Sequence, residues 1–399
     1  MSEEIQVFRC VYCGAFHAAG QSHCPESRRI LYDAHKQARR TVEDDFLVGD
    51  FLGEGEWSVV YACEHLPTRR THAIKFLKID LRTLVEARDS FEQLKREARA
   101  TAFIGHQGIA EVRRIGSLRS GVPFVVMELL TGITLAGLRS AWGRIPLADA
   151  CDIMTQVLEA LDAAHGHGIA HWNLRPENIF LTSPGPGPAA VKITDFGIAR
   201  IAWGVELYLT TSQPGYVPPV PCYIAPEQAS GLETVDHRAD LFSAGVILYE
   251  LVTGHLPFFA RSYGKQLIET IRAPVPDPRS HVPDLPPSVQ GFFEMSLAKD
   301  PDERFRSAGE MLRELRALRR DAEPFASQND EGTLRLEVGG PIATEVAAPR
   351  HRDFSGSKPV RLPSWTRTER PAGLKTPPEG KKPPRRHDEQ RTPEPSMWH

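Results

Sequence analysis

The hydrophobic rhythm of the chain changes once near its middle. From residue 46 to about 79, apolar residues crowd into two runs, "FLVGDFLGEGEWSVVYACEH" and "THAIKFLKID". Their Val, Ile and aromatic content predicts strands. "RDSFEQLKREARATAFI" follows, with Phe91, Leu94 and Ala98 at helical spacing. "IAEVRRIGSL" and "PFVVMELL" predict further strands. Past residue 145 the period lengthens. "LADACDIMTQVLEALDAAHGHG" repeats its apolar residues about every 3.6 positions and ends in glycine, the pattern of a long helix with its stop. Helical patterning then dominates to about residue 320. A β-rich block followed by a larger helix-rich block is an α+β order.

The flanks have a different character. Residues 1–30 are rich in Cys and His, and 31–45, "LYDAHKQARRTVEDD", read as a charged linker or short helix. Residues 349–399 hold ten prolines among many Arg and Lys. Such a segment cannot bury enough apolar surface to offset its ordering entropy, so 321–399 is expected to be a disordered Pro/Arg-rich tail.

Composition narrows the function classes. The 399 residues are 41% hydrophobic and 25% charged, as in a globular protein with a sizeable core. A net charge of -3 gives no case for nucleic acid or a membrane surface as the main partner. No apolar run approaches the roughly 18 residues that span a bilayer. The start, "MSEEIQVFRC", lacks the order of a signal peptide. A cytoplasmic protein without a membrane span is the expectation. Cys63, Cys151 and Cys222 are scattered, which fits reduced core thiols rather than a disulfide framework.

The candidate chemistry lies in an ordered series of short motifs. "GEGEWSVV" (53–60) sits between two strand-like runs; alone it would equally serve a hairpin turn. "HAIK" (72–75) puts Lys75 on the next strand, and Glu97 falls on the following helical pattern. Then come "HWNLRPENIF" (171–180) with Asn178, "ITDFGIAR" (193–200) with Asp195, "APEQ" (225–228), "DHRADLFSAGVILYELVTG" (236–254) and "KDPDERFRSA" (299–308) with Arg304. In this order the region 46–320 resembles the protein-kinase family, closest to bacterial eukaryotic-like Ser/Thr kinases. The resemblance implies a bilobal fold, with a small β-rich lobe over about 46–130 and a larger helical lobe over about 131–320.

It also implies ATP and Mg²⁺ as ligands. Backbone at Gly53 and Gly55 would approach the phosphates. Ser58 stands at the third glycine position. The family assigns Lys75, held by Glu97, to the phosphates, and Asn178 and Asp195 to the metal through hard oxygen atoms. By the same resemblance Val60, Ala73 and Phe180 sandwich the adenine. Met127 is the gatekeeper, and the backbone of Glu128 and Leu130 meets the adenine edge.

The transfer machinery departs from the family. Asn173 stands at the catalytic Asp, and an amide is no general base at neutral pH. Arg175 replaces the Lys two residues on. Pro219 and Val220 replace a Gly-Thr pair, and Trp172 replaces the Arg that grips an activation-loop phosphate. Three changes in one hydrogen-bonded set, beside an intact metal set, imply an ATP-binding pseudokinase that acts on an unidentified protein partner. The alternative is an active Ser/Thr kinase that tolerates Asn173.

"CVYCGAFHAAGQSHCPES" (10–27) resembles a zinc ribbon. Thiolates at Cys10 and Cys13, with Cys24, would grip one Zn²⁺. The usual fourth position is Ser27, a poor ligand, for which His23 or His17 would substitute; the other reading is a head with three free thiols.

Overall fold

The computed structural model describes residues 7–9, 16–18, 41–55, 58–77, 104–118, 122–182, 189–196, 220–231 and 235–326. Cys10, Cys13, Cys24, His23, Glu97 and most of the proline-rich tail lie outside these residues.

β1 (Val7–Arg9) pairs antiparallel with β2 (Phe16–Ala18), with Phe8 opposite His17. β3 (Thr41–Val42) pairs with β4 (Phe46–Glu54) across a tight turn. Glu43 and Asp44 both take left-handed backbone there, at φ 50° and 61°. That geometry matches the twist of a hairpin. The Glu43 carboxylate, accepting from Arg114 Nε at 2.7 Å, helps fix it. Of residues 41–45, expected to end a linker or short helix, Thr41–Val42 therefore belong to the sheet and 43–45 form its first turn. Val42 and Phe46 are buried on its core face, and that burial outweighs the charge of their neighbours.

The small lobe continues with β5 (Ser58–His65), β6 (Arg70–Leu77), β7 (Val112–Ser117) and β8 (Pro123–Glu128). The sheet order is β3-β4-β5-β6-β8-β7, all antiparallel. Side chains alternate across a strand. One face carries Val59, Tyr61, Cys63, Ile74, Phe76, Phe124 and Val126, which form the core of this lobe. The other carries Val60, Ala73, Val125 and Met127 and faces the second lobe.

The larger lobe opens with β9 (Gly132–Thr134) and α1 (Leu135–Trp142), capped where Thr134 Oγ1 accepts from Gly137 N at 3.1 Å. α2 (Leu147–His165) is the long helix expected from periodicity, and it ends at Gly166. β10 (Ile179–Thr182) and β11 (Ala190–Ile193) join β9 in a small sheet. α3 (Pro226–Ala229) precedes α4 (Arg238–Thr253), which is buried along its length from Ala239 onward. A helix apolar all round belongs at the centre of a lobe. Around it stand α5 (Tyr263–Arg272), α6 (Ser288–Ser296) and α7 (Ala308–Ala326). At Gly245 a Cβ would lie 2.8 Å from Ser296 Oγ, so glycine sets how closely α4 meets α6. Residues 321–326, expected to begin the tail, instead continue α7, and Ala322 is buried against the core. Among the described residues no helix is long and apolar enough to cross a membrane.

Candidate active site between the lobes

The cleft-facing side of the small lobe follows from register. Val60 stands opposite Lys75, Lys75 opposite Val125, and Ala73 opposite Met127. Cross-strand partners share a face, so an apolar patch of Val60, Ala73, Val125 and Met127 surrounds one cation. Gly53 pairs with Val60 at the end of β4, and Gly55 N donates to Ser58 O at 2.8 Å to close the turn.

The other wall of the cleft is built by the β10–β11 hairpin. Ile179 pairs with Ile193, and Thr194 N donates to Asn178 O at 2.9 Å. That pairing brings Asn178 beside Asp195, although they are distant in sequence. Lys75 Nζ donates to Asp195 Oδ2 at 2.6 Å, and both side chains are 14% exposed. Asp195 holds a left-handed backbone at φ 69°. Its Oδ1 is buried with no hydrogen-bond partner among the described residues. An orphaned buried carboxylate oxygen is costly, and a hard cation is the ligand that would satisfy it. Asn178 Nδ2 donates to Asn173 O at 3.0 Å, which leaves Oδ1 as the atom able to ligate. The donor set therefore fits Mg²⁺.

Phe180 is buried on β10, opposite Thr134 and Lys192. Glu128 and Leu130 stand at the end of β8. The Glu128 N–H is committed to Glu111 O at 2.9 Å, and Glu128 Oε1 accepts from Lys192 Nζ at 2.6 Å.

The loop carrying Asn173 is held from below by a buried carboxylate. Asp240, in the first turn of α4, accepts from His171 N and Trp172 N, each at 2.7 Å, and from His165 at 2.9 Å. Burial pushes the Asp240 carboxyl up, but the His165 hydrogen bond and charge outweigh it and hold it below the ordinary carboxylate range. Trp172 pays for this clamp with a left-handed backbone at φ 67°, rare for a bulky residue. The clamp was legible only as an acidic residue in the first turn of an otherwise apolar helix, and sequence reasoning gave it no role. His171 bonds Thr194 O through Nε2 at 2.8 Å, and its Nδ1 accepts from Asn173 N at 3.3 Å. Both bonds form only with the proton on Nε2. Burial depresses the pKa and keeps that neutral tautomer. The His171 ring lies 4.6 Å from Phe196.

Arg175 does not stand alone over the loop. Its Nε donates to Glu177 Oε2 at 2.7 Å. Burial would raise the Glu177 carboxyl, but the Arg175 charge and hydrogen bond bring it below its usual value. Beyond the loop, Tyr223 OH and Arg139 Nη1 both donate to Glu250, at 2.7 Å each. Burial nonetheless leaves the Glu250 carboxyl raised. Burial also pushes the Cys222 thiol up to about 11, helped by the Glu250 charge, so the thiol beside Tyr223 stays protonated. Val220, which offers no hydroxyl, precedes this pair. The floor is a buried fork: Arg304 Nη1 and Nη2 donate to the two oxygens of Glu227 at 2.8 and 2.7 Å.

The comparisons agree with this architecture. A family model, the protein kinase domain, matches residues 46–314. Serine/threonine-protein kinase Pkn1 of Myxococcus xanthus is 34% identical over 354 residues, covering 84% of this chain and 49% of that protein. Serine/threonine-protein kinase PknB of Mycolicibacterium smegmatis is 32% identical over 338 residues, covering 81% and 52%. Serine/threonine-protein kinase PknA of Mycobacterium tuberculosis is 36% identical over 259 residues, covering 64% and 57%. The chain spans roughly half the length of these curated relatives.

Proposed function

The chain belongs to the protein kinase family, and from that premise we propose that it binds ATP with Mg²⁺ while transferring phosphate weakly or not at all. It acts as a nucleotide-shaped signalling scaffold toward a protein partner. One observation carries the reading: an amide, Asn173, stands where the reaction needs a proton acceptor. Losing a general base costs typically ~10²–10⁴-fold in rate. Two neighbours agree with it. Arg175 is engaged with Glu177, and Val220 has no hydroxyl to join a transfer network.

Nucleotide binding rests on the other wall. Val60, Ala73 and Phe180 sandwich the adenine, and Met127 limits the pocket behind it. The Glu128 carbonyl and Leu130 backbone meet the adenine edge. Gly53 and Gly55 cover the phosphates, and Lys75, with Glu97 as its expected partner, binds them. Asp195 and Asn178 hold Mg²⁺, which supplies charge neutralisation at the phosphates.

A second reading is favoured by the Lys75–Asp195 geometry itself. Positioning and charge stabilisation carry much of phosphoryl transfer. A chain with that pair in place is the kind of site in which an active Ser/Thr kinase tolerates Asn173.

Labelled ATP with Mg²⁺, offered to the protein and to a generic basic substrate, separates the readings. The expected result is no incorporation above an Asp195→Ala control, together with an ATP-dependent rise in the melting temperature of wild type. Incorporation that vanishes in Asp195→Ala would establish the enzyme instead.

The head is proposed to bind one Zn²⁺ through Cys10, Cys13, Cys24 and His23, with His17 as the other candidate. Its support is the β1–β2 pairing, whose strands flank Cys10 and Cys13 in sequence. Metal analysis of the whole protein should find about one equivalent; less than about half would refute it.

A further inference from the structure

Two guanidiniums and one amide line the transfer wall, and carboxylates hold the guanidiniums from beneath. The buried residues of α1 are Leu135, Ala136 and Leu138, so Arg139 stands at the edge of the packed face. From there it reaches Glu250 on α4. The Arg139 side chain is 38% exposed and that of Glu250 only 2%. Arg175 leads into the short turn Pro176–Asn178 and pairs with Glu177 inside it. Its side chain is 39% exposed, against 29% for Glu177. Besides its own burial, the Cys222 thiol feels the charges of Glu250, Arg175, Glu177 and Arg139, so the four stand in one neighbourhood.

Depth sorts the charge. An ion pair with its carboxylate sealed and its guanidinium at the surface shows a positive pole to solvent, since the nearer charge acts more strongly on an approaching group. The Arg139–Glu250 pair has this arrangement most clearly. Donor capacity also remains. A guanidinium carries five N–H donors and no acceptor. Arg139 commits Nη1 to Glu250, and its Nε is buried without a hydrogen-bond partner among the described residues. An orphaned buried donor is costly, and an anion is the group that would satisfy it. Asn173 bonds through its backbone, N to His171 and O from Asn178, and its side-chain amide makes no hydrogen bond among the described residues. A carboxylate at that position would repel an anion, whereas the amide is able to donate to one.

We propose that this wall binds the phosphoryl group of an already phosphorylated Ser or Thr in a partner protein, through Arg139, Arg175 and the Asn173 amide. The inference rests on the proposed reading that the wall does not transfer phosphate, and it names what the wall takes instead. Other occupants each meet an obstacle. A partner's Lys or Arg would meet guanidiniums, and the carboxylates beneath already have donors in Arg139, Tyr223 and Arg175. An unmodified hydroxyl finds an amide rather than a base at Asn173. An Asp or Glu side chain brings one charge and two oxygens. A phosphoserine brings about −1.5 to −2 of charge and three acceptor oxygens, enough to engage two guanidiniums at once.

The test uses the full chain without nucleotide and three labelled degenerate peptide pools, alike except for a central phosphoserine, serine or glutamate, read by fluorescence anisotropy. The phosphoserine pool should bind at least about tenfold more tightly than the other two. Arg139→Gln and Arg175→Gln should each weaken it about tenfold, and so should Asn173→Asp, which returns a carboxylate to the wall. Arg139→Gln leaves Glu250 buried without its cation, so a loss there could come from unfolding. Glu177→Gln removes that ambiguity: it releases Arg175 from its carboxylate and should tighten phosphoserine binding about threefold, a gain that misfolding cannot produce. Equal binding of the phosphoserine and serine pools would overturn the proposal. So would phosphoserine binding unchanged by Arg175→Gln, Asn173→Asp and Glu177→Gln, which would assign it to another basic surface, such as the Arg- and Lys-rich residues 349–399. Equal binding of the glutamate pool would overturn the phosphate assignment and leave an acidic segment as the occupant. Because no nucleotide is present, failure here is distinct from failure of the ATP-binding or transfer reading, which thermal shift and incorporation report.

Discussion

The two walls of the cleft have diverged. On the proposed nucleotide wall the structure brings together Lys75 on Asp195, an Asp195 oxygen without a hydrogen-bond partner among the described residues, Asn178 turned by its own hydrogen bond, and an apolar patch. On the transfer wall Asn173, Arg175 and Val220 are all altered, yet the scaffold beneath them is complete. Asp240 still clamps the loop backbone, and Arg304 still forks onto Glu227. The difference separates two uses of one fold. Residues that position backbone serve the shape whether or not phosphate moves. On the proposed reading, residues that would meet the reacting hydroxyl serve only the reaction, and these are the ones that depart from the family pattern.

The largest effect should come from rebuilding the transfer wall. Asn173→Asp alone should raise transfer less than about tenfold, because Arg175 is tied to Glu177 and Val220 offers no hydroxyl. Asn173→Asp, Arg175→Lys and Val220→Thr together should raise it by about 10²–10⁴-fold, the usual worth of a general base. Measured incorporation rates decide this; full recovery in the single variant would break the comparison, since the network would then never have decayed.

A smaller effect tests the scaffold. Arg304→Met leaves the Glu227 carboxylate buried without its partner, which should cost about 3–5 kcal/mol. Urea unfolding measures it. A loss below about 1 kcal/mol would mean that the floor under the transfer wall is no longer needed, and shape and reaction would not have separated as described.

The smallest effect is a pH dependence next to that floor. Burial, and then the Arg304 charge, lower the Lys299 amine to about 8. The unfolded chain binds this proton up to about pH 10.4, so between those values it holds more protons than the folded one. Lys299 thus penalises folding below about pH 8, and the penalty fades as pH rises toward 10. Thr270 O and the Phe258 ring, 3.4 Å from Nζ, favour the cation and reduce the effect. Melting curves of wild type and Lys299→Met should therefore diverge below pH 8 and draw together above it. Parallel curves across that range would place the amine in effective contact with water.

Much of this protein was legible as sequence because the pattern is local. Runs rich in Val, Ile and aromatic residues predicted β5, β6 and β8, the 3.6 period predicted α2, and motif order brought Lys75, Asn178 and Asp195 to attention. The sequence also fixed the identity of Asn173, Arg175 and Val220, which no folding can alter. Long-range geometry was not legible. That Asp240 clamps Trp172, that Arg175 turns to Glu177, and that Thr41–Val42 extends the sheet depend on partners the chain brings together only on folding. Local propensities are set by neighbours along the chain, whereas burial and hydrogen-bond partners are set by neighbours in space, and only the tertiary structure supplies those.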